Sequence, residues 1–292
     1  MASMRDIKRR KGSIQSTQQI TKAMKLVSTV KLQRARATAE HSKAYFNCMY
    51  QTVNSILARV GSLQHRYLQP GSSDKKAVIV ISSNRGLAGG YNSNIVKLVT
   101  RHPEWNKEDV VIYAVGRKGK DAFVREGYTV RMDMSDIVEE PSYPDAMALS
   151  NELLRAFAEG EIGEIYLAYT AFQNTVSHVP TLLKLLPVEQ EAVPDRSRES
   201  GHEEELKIPM NFEAEDEEAL EMIIPKYVTS LIYGGLVEAV ASENGARMQA
   251  MDNATSNAEE MISDLTLKYN RARQGSITQE LTEIIAGAEA IS

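Results

Sequence analysis

A glycine-rich turn lies where a phosphate-binding loop would lie, between a predicted strand and a predicted helix. It runs Gly86-Leu-Ala-Gly-Gly90. In dinucleotide-binding folds such a turn lets the backbone approach a pyrophosphate at a helix N-terminus. The spacing matches neither G-x-G-x-x-G nor G-x-x-x-x-G-K-[ST]. The sequence therefore favours a tight turn that packs the helix on its sheet, with nucleotide binding as the alternative, and it predicts no cofactor.

Residue types that carry catalysis or bind metals do not form a recognisable pattern. Ser82 and Ser83 lack the G-x-S-x-G setting of a nucleophile elbow. Cys48 is the single cysteine, which excludes an intrachain disulfide and a multi-cysteine metal site. The five histidines are scattered without ligand spacing. The sequence predicts no catalytic and no metal-binding residues, and a small-molecule enzyme that uses the glycine-rich turn stays as an alternative.

Charge is concentrated at the N-terminus. Residues 1–43 hold eleven lysines and arginines against two acidic residues, a balance of +9, while the whole chain has a net charge of −5. A basic helix on an acidic protein indicates an acidic partner surface, a nucleic acid or a membrane face, or simply a solvated helix face. The apolar segments are too short to predict a transmembrane helix, and no signal peptide is predicted, so membrane association would go through a partner.

Two very long helices are predicted at the ends of the chain. Residues 3–60 contain one glycine and no proline, and the apolar residues Ile20, Met24 and Val27 keep helical spacing. Beyond Pro225 the chain is again free of proline. There apolar or small residues form a heptad-like seam, and charged residues lie between its members. The seam consists of Met248, Met251, Thr255, Ala258, Ile262, Leu265 and Tyr269. A helix of roughly 65 residues would be about 100 Å long, which is wider than an ordinary globular core. We therefore expect the two long helices to pack against each other, in antiparallel orientation.

The glycines of the C-terminal helix are a second indication of close packing. Each costs about 1 kcal/mol relative to alanine inside a helix, so we expect another backbone to approach them closely. They are Gly234, Gly235, Gly245, Gly275 and Gly287.

Strands and helices alternate between the two long helices. Apolar, β-branched runs at 77–82, 110–115 and 165–170 predict buried strands, residues 128–132 a further strand, and 176–188 a last strand or two interrupted by Pro180. The predicted fold class is therefore α/β, with a Rossmann-like parallel domain and a long antiparallel two-helix coiled coil. The predicted domains are 1–68 (coiled-coil helix), 75–210 (α/β domain) and 211–290 (coiled-coil helix forming one unit with 1–68).

Three blocks of the sequence resemble the gamma subunit of F-type ATP synthases in the order of that family. They are Ile14-Gln-Ser-Thr-Gln-Gln-Ile-Thr-Lys-Ala-Met-Lys-Leu-Val-Ser28, Ser82-Ser-Asn-Arg-Gly-Leu-Ala-Gly-Gly-Tyr-Asn-Ser-Asn-Ile95 and Tyr269-Asn-Arg-Ala-Arg-Gln-Gly-Ser-Ile-Thr-Gln-Glu-Leu-Thr-Glu-Ile-Ile-Ala-Gly-Ala-Glu-Ala290. Because the blocks span nearly the whole chain, the resemblance is specific. It implies a central-stalk rotor subunit that couples proton-driven rotation to ATP synthesis or hydrolysis.

The resemblance also implies the partners. They are the hexamer of alpha and beta subunits, the epsilon subunit and the c-ring, with one copy of the chain per complex. Catalysis would reside in the beta subunits, no nucleic acid would be bound, and the cell membrane would be reached at its cytoplasmic face only through the c-ring. The chain lacks the two-cysteine insertion of chloroplast gamma subunits, so we expect no thiol switch of that type.

Positions that match the family's beta-facing motifs are the predicted functional residues. They are Met24, Lys25, Arg247, Arg273, Gln274, Thr278 and Glu280. We also expect Met24 and Lys25 to lie opposite Arg273, Gln274 and Thr278. The alternative function is a coiled-coil nucleic-acid-binding protein that uses the basic N-terminal helix and binds with steep salt dependence.

Overall fold

The computed structural model describes residues 4–60, 65–175, 177–188 and 216–289. The sequence of residues 189–221 is acidic, with the run Glu203-Glu-Glu205, and predicts a solvated loop that leads into the final helix. Most of this segment, residues 189–215, and the predicted boundary between 210 and 211 lie outside the described residues. The described helices are α1 (Met4–Val60), α2 (Tyr91–Thr100), α3 (Arg117–Glu126), α4 (Tyr143–Ala158) and α5 (Asp216–Glu289). The strands are β1 (Lys76–Ile81), β2 (Val110–Val115), β3 (Thr129–Asp133), β4 (Glu164–Phe172) and β5 (His178–Leu186).

The described strands form one sheet in the order β3-β2-β1-β4-β5. β1 pairs in parallel with both β2 and β4, and β2 pairs in parallel with β3. β5 runs antiparallel to β4, so the sheet is mixed: β1 to β4 form the parallel sheet that the sequence predicts, and β5 adds an antiparallel edge strand. The connection between β4 and β5 spans only residues 173–177, which is too short for the crossover that a parallel partner needs.

Contrary to the prediction, Pro180 does not interrupt the last strand. It lies inside β5 and is paired with Thr170 of β4. β5 is the edge strand of the sheet, with β4 on one side only. Proline lacks a backbone N–H, and an edge strand tolerates that loss because one side of it has no ladder partner.

Helices cover both faces of the sheet, which explains why β1 is a continuous apolar run. Its residues Ala77, Ile79 and Ile81 pack into a core with α4 and the first part of α5. Its residues Val78 and Val80 point to the opposite face, where they pack with Ile95 of α2 and Phe123 of α3. These five side chains of β1 are all buried, as expected for a strand that is covered on both faces.

The last helix extends to the N-terminal side of Pro225, whereas the sequence predicts an uninterrupted helix only beyond that proline. α5 starts at Asp216, so Pro225 lies inside it. An interior proline costs about 3 kcal/mol because it removes one backbone hydrogen bond and crowds the preceding turn. Leu220, Ile224 and Val228 flank it and are fully buried, and the apolar surface removed from water there offsets that cost.

One stretch of α5, within Glu218–Ala288, could cross a membrane by its length and composition alone. The sequence patterns predict no transmembrane helix. Of that stretch, 61% is buried inside the protein. Burial against the sheet accounts for its apolar composition, as in the core helix of other proteins.

The glycines of α5 do not meet another backbone. An added Cβ would meet side chains at three of them, at 3.6 Å from Phe46, 2.8 Å from Leu167 and 2.7 Å from His178, for Gly234, Gly235 and Gly245 respectively. Nothing lies within 4 Å at Gly275 and Gly287. Within the described chain, side-chain packing therefore explains Gly234, Gly235 and Gly245, and no contact explains Gly275 and Gly287.

Two compact units make up the chain. One comprises Met1–Ser28 with Arg247–Ser292, and the other comprises Thr29–Ala246. The second unit contains the sheet and its covering helices. The first contains parts of α1 and α5 only, and it is the unit in which the predicted functional residues lie.

Candidate functional site

Three polar contacts join α1 to α5 within the first unit. Gln18 Nε2 donates to Glu259 Oε1 at 3.0 Å. The hydroxyls of Thr21 and Thr255 lie 2.7 Å apart. Lys25 Nζ donates to Asp252 Oδ1 at 2.6 Å. Residue numbers rise along α1 while those of the partners fall along α5, so the two helices run antiparallel, as predicted.

The packing side of α5 is the predicted heptad seam. Met251, Ala258 and Leu265 are buried at seven-residue intervals. Four residues after each of them a half-buried residue follows, in the order Thr255, Ile262 and Tyr269. This alternation of three- and four-residue steps is typical of a coiled-coil seam.

The packing side of α1 is not the one predicted from its apolar residues. Ile20 and Val27 are 60% and 58% exposed, whereas Thr21 and Ser28 are only 8% and 2% exposed. The packed side is thus displaced by one residue, or about 100° around the helix. Small hydroxyl side chains permit close approach, and Thr21 satisfies its hydroxyl through the backbone oxygen of Gln18 and the hydroxyl of Thr255.

The side of α1 that faces away from α5 carries the exposed apolar residues of this part of the helix. Its exposed members within the first unit are Ile20, Leu26 and Val27. Met24 is half-buried and lies beside Lys25, which is also half-buried. Exposed contiguous apolar side chains on a helix indicate a surface that a partner covers.

The structure separates the predicted residues into two groups. Lys25 forms an ion pair with Asp252. Arg273 follows Asp252 by 21 residues along α5, or about 32 Å at 1.5 Å per residue, so it does not lie opposite Lys25. The expectation that Met24 and Lys25 lie opposite Arg273, Gln274 and Thr278 is therefore wrong. An antiparallel pairing that matches residue 25 with 252 brings residue 273 close to the start of α1. Arg247 is half-buried and lies near the first group.

The second group lies on the exposed end of α5. Arg273, Gln274, Thr278 and Glu280 are all exposed. The hydroxyl of Thr278 donates to the backbone oxygen of Gln274 at 2.9 Å. Within the described residues, neither Arg273 nor Glu280 forms an ion pair, so both charged groups are available to another molecule.

An apolar stripe lies between these polar residues, and it is not among the functional residues predicted from the sequence. Ile277, Leu281, Ile284 and Ile285 are 49% to 68% exposed. Their spacing of i, i+4, i+7 and i+8 places them on one side of the helix, and this spacing is visible in the sequence. The end of α5 therefore presents an apolar stripe flanked by Arg273 and Glu280 on one side and Thr278 on the other.

The glycine-rich turn is held by contacts within the chain. Backbone N–H groups at the start of α3 donate to the segment that precedes the turn, namely Arg117 to Asn84 Oδ1 at 3.0 Å, Lys118 to the Ser83 oxygen at 3.0 Å and Gly119 to Ser82 Oγ at 2.8 Å. These are the groups with which a helix N-terminus would bind phosphate. These contacts tie the segment 82–84 to the N-terminus of α3, whereas the helix that directly follows the glycine-rich turn is α2, with Gly90 as its N-cap.

Gly116 explains how the two segments come so close. Its φ is +113°, and an added Cβ would lie 2.2 Å from the backbone oxygen of Ser82. Only glycine fits such a backbone conformation and such an approach.

Comparisons with known proteins agree on one family. The family described as ATP synthase matches residues 3–291. The ATP synthase gamma chain of Lachnoclostridium phytofermentans is 64% identical over 292 residues, which is 100% of both chains. That of Alkaliphilus metalliredigens is 42% identical and is covered over 98% of its length by 99% of this chain.

Solved structures show the same fold. A chain of the central stalk and c-ring of the Tetrahymena thermophila mitochondrial ATP synthase has a TM-score of 0.58 at 24% identity, with 80% of this chain and 99% of that chain covered. A chain of the Euglena gracilis mitochondrial ATP synthase has a TM-score of 0.67 at 18% identity, with 99% and 94% covered. All of these proteins belong to ATP synthases, so the nucleic-acid-binding alternative gains no support. The chain belongs to the ATP synthase gamma-chain family.

Proposed function

We propose that the chain is the central-stalk rotor subunit of an ATP synthase and that it has no catalytic activity of its own. The observation that carries this proposal is the antiparallel pair that α1 and α5 form in the first unit, which we call the hairpin. Its helices pair through Thr21, Lys25 and their partners, while apolar side chains face outward on α1 and at the end of α5. A shaft that turns inside a ring of other subunits needs such an outer surface, because the ring covers it.

The proposed partners are the alternating alpha and beta subunits of the head, the epsilon subunit and the c-ring, with one copy of the chain per complex. The complex would lie at the cytoplasmic face of the cell membrane, with the chain reaching the membrane only through the c-ring. ATP synthesis or hydrolysis would take place in the beta subunits. Support comes from the full-length similarity to gamma chains.

The proposed mechanism is a coupling of conformations. A shaft whose sides differ contacts successive beta subunits differently, and each contact favours the beta conformation that it binds best. Rotation then shifts the nucleotide affinities in turn, and by reciprocity nucleotide turnover can rotate the shaft. We propose that Met24, Lys25, Arg247, Arg273, Gln274, Thr278 and Glu280 make these contacts with the beta subunits.

Exposure supports the role of the second group in particular. Arg273 has no acidic partner among the described residues, and its guanidinium can hold a carboxylate through two parallel hydrogen bonds. Gln274 and Thr278 add neutral hydrogen bonds that can break as the shaft turns. Lys25 would have to exchange Asp252 for a partner carboxylate, or contact the partner while it remains paired.

The functional division of the chain is also a proposal. Segments 1–68 and 211–290 would act together as the coiled-coil shaft, and segment 75–210 would be the α/β domain outside the head. Three blocks of family resemblance, one in each segment, support this division.

Reassembly of the complex tests the proposal. Purified alpha and beta subunits and the membrane sector are combined with or without this chain, and ATP hydrolysis and ion pumping are measured in sealed vesicles. We expect pumping only when the chain is present and no ATPase activity in the chain alone. Pumping without the chain would refute the proposal. We propose the proton as the driving ion, but both H⁺ and Na⁺ must be followed, because a relative from Acetobacterium woodii at 40% identity is named sodium ion specific.

A further inference from the structure

A basic cleft separates α2 and α3 on the outer side of the sheet, in the second unit. Its volume is about 420 Å³. Lys97 and Arg101 line it from α2 and its C-cap, and Lys118 and Arg125 line it from α3. Glu126 is the one carboxylate in its lining. A surplus of positive charge in one cleft is notable on a chain whose net charge is −5.

The four cations are not used by the fold. All four are exposed, and among the residues that the structure describes none of them forms an ion pair. Other surface lysines and arginines of the same unit do find acidic partners, such as Lys120 with Asp133 and Arg131 with Glu161. Four unpaired positive charges around one cleft repel each other, so the cleft gains stability when an anion enters it.

The arrangement of the charges indicates an elongated partner. α2 and α3 follow the neighbouring parallel strands β1 and β2 and cover the same sheet face, so they run in the same direction. Lys97 and Arg101 lie about one turn apart, and Lys118 and Arg125 about two turns apart, or roughly 10 Å. The floor between them includes Val96, which is buried, and Ala122. A groove with an apolar floor and charged rims is the usual receptor for an amphipathic helix.

A compact phosphate group fits this cleft less well. Phosphate is bound best where backbone N–H groups converge at a helix N-terminus. At α3 those groups already donate to residues Ser82, Ser83 and Asn84. At the N-terminus of α2 the N–H of Tyr91 donates to the oxygen of Ala88. The lysines and arginines are also spread along the cleft and do not surround one point.

We propose that the α2–α3 cleft binds an acidic amphipathic helix of a partner protein. Carboxylates one turn apart would contact the cationic rims, and small apolar side chains would lie on Val96 and Ala122. Because the cleft is short, the contact is weak and reversible by itself. The proposal concerns a surface of the second unit and does not depend on the contacts proposed for the hairpin.

Fluorescence anisotropy with the full-length chain tests this proposal. The probe is a labelled 15-residue helical peptide with glutamates one turn apart on both sides of an alanine–leucine stripe. The cleft variant is Lys97→Glu/Arg125→Glu, and the matched control is Lys75→Glu/Lys226→Glu, which changes two exposed lysines outside the cleft by the same total charge. We expect the cleft variant to weaken binding at least tenfold, the control to weaken it less than threefold, and a glutamine version of the peptide not to bind.

Three outcomes would overturn the proposal. Equal weakening by both variants would show unspecific attraction. Absence of peptide binding at millimolar concentration would show that the cleft takes no acidic helix. Binding of inorganic triphosphate that depends on Lys97 and Arg125, without peptide binding, would instead identify a small-anion site. Thermal unfolding shows whether the charge reversals destabilise the fold. If they do, the neutral double variant Lys97→Gln/Arg125→Gln gives the same comparison, with Lys75→Gln/Lys226→Gln as its control.

Discussion

Lys25 and Asp252 form an ion pair that joins the two long helices, with Nζ 2.6 Å from Oδ1. It continues a row of polar contacts that includes the hydroxyl pair of Thr21 and Thr255. On this side of α1 the hairpin is therefore held by hydrogen bonds, while the apolar residues of α1 face outward. Such polar contacts define the register of the two helices more than they contribute to the free energy of unfolding.

The ion pair should contribute little to stability. Both side chains are more than a third exposed, so water and salt screen their attraction. In a double-mutant cycle with Lys25→Ala and Asp252→Ala, we expect a coupling energy below about 1 kcal/mol that decreases with added salt. Urea unfolding of the full-length chain at two salt concentrations measures it. A coupling energy of several kcal/mol, independent of salt, would contradict this description.

Arg273→Ala should reduce coupling without affecting the fold. The side chain is exposed and forms no ion pair in the described part of the chain, so its loss removes no internal contact. In reassembled complexes we expect fewer ions pumped per ATP hydrolysed, with an unchanged thermal unfolding midpoint. A lost charge-assisted contact corresponds to about 1.5–3 kcal/mol. Arg271→Ala, an exposed arginine of the same helix, is the control and should have the smaller effect. Equal pumping ratios in the two variants and wild type would remove Arg273 from the proposed contacts.

Met24→Lys should impair coupling through an added charge. Met24 is half-buried beside Lys25, so a second ammonium there would bind an acidic partner surface too firmly and favour one rotational state. We expect a lower pumping ratio that recovers partly at higher salt, since salt screens the added attraction. Met24→Leu keeps the volume and adds no charge, so it should behave like the wild type. A loss of coupling in Met24→Leu that equals the loss in Met24→Lys would indicate a packing effect.

Alanine at two glycines of α5 should have opposite effects on stability. At Gly245 an added Cβ would lie 2.7 Å from Cε1 of His178, whose ring stacks on Phe172. Gly245→Ala should therefore cost about 1–3 kcal/mol through overpacking. At Gly275 nothing lies within 4 Å, and Gly275→Ala should stabilise the helix by up to about 1 kcal/mol. Chemical unfolding of both variants gives the comparison, and destabilisation by Gly275→Ala would show that an unrecognised contact exists there.

His178 should make the chain less stable at mildly acidic pH. Burial lowers its pKa below the usual 6.5, and neither ring nitrogen has a hydrogen-bond partner in the described structure. The folded state thus disfavours the protonated form. Well above pH 6.5 both states are neutral at this residue and it does not affect stability. As the pH falls below 6.5, the unfolded chain binds the proton more readily, and the free energy of unfolding decreases.

Denaturant unfolding between pH 7.5 and 5 measures this effect. His178→Gln cannot titrate, so its free energy of unfolding should depend less on pH over that range than that of the wild type. A pH dependence that is the same in the variant would assign it to other groups.

Local patterns in the sequence determine the type of nearly every described element. The long segments without interior proline become α1 and most of α5, because nothing removes their backbone hydrogen bonds. The β-branched runs become β1, β2 and β4, because side chains that are covered on both faces must be apolar throughout. The heptad seam from Met251 to Tyr269 identifies the packing side of this part of α5, since between these two residues no other side of the helix has as many apolar residues.

Only the tertiary structure decides which side of α1 packs and which residues meet. The sequence pattern predicts Ile20 and Val27 as packing positions, but Thr21 and Ser28 are buried instead, because small side chains permit close contact. Thr21 also bonds to Thr255 across the helices. The start of α5 before Pro225 likewise depends on burial that no local rule includes. The position of Lys25 beside Asp252 follows from the register of two segments that lie more than two hundred residues apart, and register is a property of the packed pair and of neither helix alone.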